Sequence, residues 1–128
     1  MFLLASTLIV QLAANVNKTM YIPVPGLSGE EYVLESLVFI PDSDGAVSLD
    51  GTNYITVTAK QGSTSLGSFN TNTGGTALVA GTAVPFSLSG AALQFSSLTD
   101  ALTIDSAKTG TGAVLKGVFV ATFRQLRT

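Results

Sequence analysis

The chain has 128 residues, 46% of them apolar and only 11% charged, with a net charge of −2 and no Cys, His or Trp. That composition excludes a disulfide framework, a thiolate nucleophile, a histidine general base and the usual zinc ligands. It also argues against a disordered chain, and the length suits one domain with a real core.

Residues Phe2 to Ala14 form an apolar opening with no charge before Lys18. It is too short to span a bilayer, and it lacks the basic start of a secretory signal. Phe2, Leu4, Leu8, Val10 and Leu12 fall on one side of an extended chain, with Ser6 between them. The reading is an extended apolar arm over residues 1–18 that packs on the domain or on a neighbour. Those five side chains are its expected assembly surface. A short helix is the alternative, because Leu4, Leu8 and Leu12 also repeat at helical spacing.

Pro23, Pro25, Gly26, Ser28 and Gly29 make a turn-rich link. The domain proper is placed at 19–128. Tyr32 to Ile40 reads as a long strand, apolar on both faces and hence central. Strict alternation assigns Tyr32, Leu34, Val38 and Ile40 to one face, and Val33, Leu37 and Phe39 to the other. Pro41 to Gly45 and Asp50 to Asn53 are turn signals. Between them and Gln61-Gly62 lies a half-buried strand, with Ile55, Val57 and Ala59 inward and Thr56, Thr58 and Lys60 outward.

Ser65 to Asn70 is a short strand, and Asn70 to Thr76 a polar glycine loop. Ala77 to Ala80 reads as a strand or one helical turn. Val84 to Leu88 and Leu93 to Phe95 are short strands either side of Ser89-Gly90. Ala101 to Asp105 alternates, and Lys108 to Gly112 is a long turn. Val114 to Phe123 closes the chain as a strand, with Leu115, Phe119, Ala121 and Phe123 opposite Val114, Val118, Val120 and Thr122. About eight strands without a long helical period predict an all-β fold, an antiparallel sandwich or barrel.

The chemistry-bearing residues form no strong motif. Asp42, Asp44 and Asp50 lack the spacing and the bidentate Glu of a calcium loop and read as turn residues. Glu30, Glu31 and Glu35 contain a possible carboxylate pair, but nothing fixes its geometry. Gly110-Thr-Gly112 follows its lysine instead of preceding it, so it is a turn and not a phosphate loop. Without His, no Ser–His–Asp triad is possible. The scattered basic residues, Lys18, Lys60, Lys108, Lys116, Arg124 and Arg127, make nucleic acid a poor partner. Asn17-Lys-Thr19 fits a glycosylation triplet. No cofactor, metal, membrane or catalytic role is expected.

Three phrases carry a resemblance: Asp50-Gly-Thr-Asn-Tyr-Ile-Thr-Val-Thr58, Gly67-Ser-Phe-Asn-Thr-Asn72, and Leu98-Thr-Asp-Ala-Leu-Thr-Ile-Asp105. Lys108-Thr-Gly-Thr-Gly112 and the closing strand complete it. Over residues 32 to 124 the chain resembles the capsid decoration (cement) proteins of tailed bacteriophages. The resemblance implies a jelly-roll-like sandwich and a homotrimer seated on the virion surface, bridging copies of the major capsid protein. It implies no catalytic residues. Two alternatives stay open. One is a tail, fibre or minor shell protein. The other is a carbohydrate-binding sandwich module, which needs exposed Tyr21, Tyr32 or Tyr54 beside acidic or amide groups.

Overall fold

A computed structural model describes residues 3–24, 30–89, 93–96 and 101–126. Phe2, the link residues 25–29, Gly90 and residues 98–100 of the third phrase lie outside that set. Strands account for the regular structure: β1 Leu3–Leu12, β2 Lys18–Ile22, β3 Glu31–Pro41, β4 Tyr54–Gln61, β5 Thr64–Asn70, β6 Val84–Pro85, β7 Gln94–Ser96, β8 Leu102–Thr109 and β9 Leu115–Gln125.

Pairing is antiparallel and nested. β1 pairs with β9, β2 with β8, β3 with both β6 and β7, and β4 with β5. Further pairing of β3 with β9 and of β4 with β8 builds two sheets, β1-β9-β3-β6 (β7 also on β3) and β2-β8-β4-β5. The result is a β-sandwich with the nested strand order of a jelly roll, its chain passing from sheet to sheet like a long hairpin rolled up. The apolar opening is a strand of this sandwich. All ten residues of β1 are paired with β9, from Leu3 opposite Arg124 to Leu12 opposite Leu115.

The core follows from alternation, because successive side chains point to opposite faces. In β4, Ile55, Val57 and Ala59 are buried, and in β9 Leu115, Phe119, Ala121 and Phe123 are buried. β2, unassigned in the sequence reading, adds Met20 and Ile22. Phe39 is 4.7 Å from Phe119 and 6.0 Å from Phe69, ring centre to ring centre, and Phe86 lies 5.3 Å from Phe69. Phe95 meets Phe123 edge-on at 5.7 Å. Phe39 meets Phe69 across the sandwich, while the Phe39–Phe119 and Phe95–Phe123 pairs lie within the first sheet.

β3 departs from strict alternation. Its register on β9 shifts between Leu34 and Ser36, so Glu35 is the extra residue of a β-bulge. The bulge inverts the faces of the residues beyond it. Tyr32, Leu34, Leu37 and Phe39 are buried, while Val33, Val38 and Ile40 are half-buried on the outer side. The sequence assignment of Val38 and Ile40 beside Tyr32, and of Leu37 and Phe39 opposite, is therefore corrected. The segment Ala77 to Ala80 contributes only an isolated bridge between Val47 and Leu78.

Candidate docking surface

The expected assembly side chains of β1 divide cleanly. Val10 and Leu12 are buried in the core, and Leu4 and Leu8 are half-buried against it. Phe2 lies outside the described residues. These four therefore pack within the chain. The other side of β1 faces outward, with Ile9 78% and Leu3 55% exposed.

Register extends that outer side across the sheet. Ile9 lies opposite Val118, and Val118 opposite Ile40. The next row runs Thr7, Val120, Val38 and Pro85. Ala5, Thr122 and Ser36 form the row after it. No charged side chain stands in these three rows. Charges stand at the two ends. Arg124 Nε donates to Glu35 at one end, and Lys116 faces Asp44 at 3.5 Å at the other. The Glu35 bulge helps to set that first pair, by turning an extra side chain toward Arg124.

The second sheet presents a different outer face. Thr56, Thr58 and Lys60 of β4 stand beside Thr103 and Asp105 of β8. Lys60 and Asp105 form an ion pair at 2.8 Å, and Thr19 donates to the same carboxylate at 2.8 Å. The Lys60 hydrogen bond, with help from Thr19, holds Asp105 below the usual carboxylate range. A shallow groove beside it is lined by Asn17, Lys18, Thr19, Asp105, Ser106 and Ala107. Its amide and carboxylate are engaged, since Asn17 Oδ1 accepts the Lys108 N–H at 2.8 Å.

The edges differ as well. An open strand edge offers unpaired N–H and C=O groups, and proteins normally blunt it. β2 is short and carries Lys18. β6 and β7 are very short, and Pro85 sits in β6. On β5, Ser89 N–H reaches the Leu66 carbonyl at 3.0 Å. β1 has none of these devices: it is ten residues long, uncharged and free of proline.

Asp50 and Glu30 serve local structure. Asp50 Oδ1 accepts the N–H groups of Thr52 (2.8 Å) and Asn53 (3.1 Å), which close the turn and hold its carboxyl below the usual range. Glu30 accepts from Tyr32 Oη at 2.9 Å and from Gln125. Among the described residues no three His, Cys, Asp or Glu side chains cluster to hold a metal ion. At the β8–β9 turn, Gly110 takes φ 63° and Gly112 φ 67°, and Asn53 Oδ1 accepts the Thr111 N–H at 2.9 Å. That geometry binds the turn to the rest of the chain.

Tyr32 is buried, whereas Tyr21 is 63% exposed. Tyr21 lies on the Thr103–Lys60 row and Tyr54 on the Thr109 row, at opposite ends of β4. They form no shared aromatic platform. Buried Thr71 escaped the sequence reading. Its Oγ1 accepts the Ile55 N–H at 3.2 Å, and its backbone N–H bonds the Ile55 carbonyl at 3.0 Å. A threonine inside a polar glycine loop gives no periodic signal of burial.

Comparison with protein families, curated proteins and solved structures gives no match.

Proposed function

We propose that this chain is a structural virion protein, a capsid decoration (cement) subunit. It associates as a homotrimer, seats on the head surface and stabilises the shell by bridging capsid subunits. The observation that carries the reading is the first sheet's outer face: uncharged in its three central rows, with Ile9, Val118, Ile40, Val120 and Val38 as its main apolar side chains, and set on a sandwich with jelly-roll pairing. The resemblance in the strand and turn phrases supplies the capsid setting, and the nested pairing agrees with the fold that it implies.

The physics of such a role is simple. A flat apolar face buries area without any chemistry at the contact. On a symmetric shell the same contact recurs many times, so modest affinity per copy is enough. The separated tyrosines speak against the carbohydrate-binding alternative.

Antibody raised against the purified chain tests the reading on virions from the source culture. Label over the head surface is the expected result. Label confined to tails transfers the chain to the tail or fibre class, and unlabelled particles overturn a virion role.

A further inference from the structure

We infer that the outer face of the β1-β9-β3-β6 sheet, together with the β1 edge, is the surface on which a second copy of this chain packs. The inference rests on the proposed assembly role and names its surface.

Size is the first argument. Three full strands at about 4.8 Å spacing and the uncharged rows from Ala5 to Ile9 at about 3.4 Å per residue, with Pro85 of two-residue β6 beside them, give a central patch of about 14 Å by 17 Å. That is roughly 240 Å² in projection, the size of an interface centre and not of a whole interface. A standard interface takes about 800 Å² from each partner, an apolar centre inside a polar rim. The face supplies that centre, and the end pairs Arg124–Glu35 and Lys116–Asp44 supply rim.

Charge is the second. A surface that meets its own copy must tolerate itself. The central rows carry no charge, and each rim cation already has an anion from its own chain, so like charges do not oppose one another. The other sheet's outer face carries an ion pair, Lys60–Asp105, at its middle, and burying it would desolvate two charges.

The third is position. Ile9, 78% exposed, stands where the face meets the β1 edge. β1 carries no blocking charge, bulge or proline of the kinds that protect strand edges. A copy seated over Ile9 covers face and edge together. The sparse surface charge of the whole chain, net −2, gives a free monomer little other protection from association.

Light scattering over a dilution series tests this with three variants of the full chain. Unmodified protein is expected as a multimer that dissociates on dilution. Ile9→Asp and Val120→Lys, both on the proposed face, should raise the dissociation midpoint at least tenfold. Tyr21→Lys, on the other sheet, should leave it in place. A monomer at every concentration overturns the inference, as do face variants that keep the unmodified curve. If a variant fails to fold by circular dichroism, hydrogen exchange on the unmodified chain decides. Protection of β1 amides should fall on dilution, and concentration-independent exchange rejects the interface.

Binding of the same variants to stripped phage heads separates this inference from the capsid reading. A multimer broken by Ile9→Asp, with no head binding by any form, keeps the interface and removes the capsid role. A monomer whose head binding is lost with Ile9→Asp keeps the capsid role and gives this face to the shell.

Discussion

Gly117 lies under the ring of Phe39. A methyl group at Gly117 would stand 2.9 Å from Phe39 Cζ and 2.2 Å from the Ile40 carbonyl oxygen. Gly117 is therefore the point at which β9 lets β3 and its aromatic ring approach. It sits on the inward side of β9, between buried Leu115 and Phe119. Glycine in a strand interior commonly marks such an approach.

Gly117→Ala should consequently destabilise the fold. Overpacking a filled core costs about 1–3 kcal/mol, and a backbone oxygen at this distance places the substitution at or above the top of that range. Urea unfolding should show a lower midpoint with an unchanged slope. An unchanged midpoint would mean that the strands separate more easily than the contacts indicate.

Phe119 occupies the centre of the aromatic group, 4.7 Å from Phe39 and 6.2 Å from Phe86. Phe119→Ala removes these ring contacts and leaves a cavity. The expected loss is about 3–5 kcal/mol, a large part of the stability of a domain this size. Equilibrium denaturation measures it. Phe119→Leu, which refills part of the space, should recover some of the loss.

Glu35 carries a different kind of information. Deleting it would restore strict alternation to β3 with Tyr32, Leu34, Leu37 and Phe39 still on one face, because Ser36 would then follow Leu34 directly in the register with β9. Deletion and Glu35→Ala each remove an exposed pair with Arg124, and each should cost under about 1 kcal/mol. Thermal unfolding of the two variants measures both. A deletion that costs several kcal/mol more than Glu35→Ala would mean that the fold needs the local bend of the bulge and not only the spacing that it corrects.

That bulge also shows where sequence reasoning stops. In β4 and β9, polar or smaller residues alternate with large apolar ones, so the buried side was legible. β3 is apolar on both sides, and nothing local reveals that Glu35 is an extra residue. β1 poses the same difficulty. Leu4, Leu8, Val10 and Leu12 stand out as a stripe, yet that stripe packs on the chain's own core. The outward set, Leu3 and Ile9, becomes a surface only through its register with Val118, Ile40, Val120 and Val38. Long-range pairing decides this, and hydrophobic pattern alone does not carry it.

The Lys60–Asp105 pair gives a pH dependence with a defined direction. The Lys60 hydrogen bond, then the Thr19 hydroxyl, lower the Asp105 pKa in the folded chain. A lowered carboxylate stabilises the fold above its unfolded value, near about 3.9, and that contribution is lost as pH falls through the folded value. The side chains are 33% and 31% exposed, so solvent screens the pair and its worth at neutral pH is under about 1 kcal/mol. Asp105→Asn should therefore be slightly less stable than the parent at pH 7. The two should converge only in acid, below the lowered folded value of Asp105, where the parent carboxylate is also neutral. Added salt should narrow the gap at pH 7, because exposed pairs are screened. Melting curves at pH 7 and in acid, with and without salt, measure the difference. A gap that persists undiminished in acid would assign the role of Asp105 to its neutral hydrogen bonds and not to its charge.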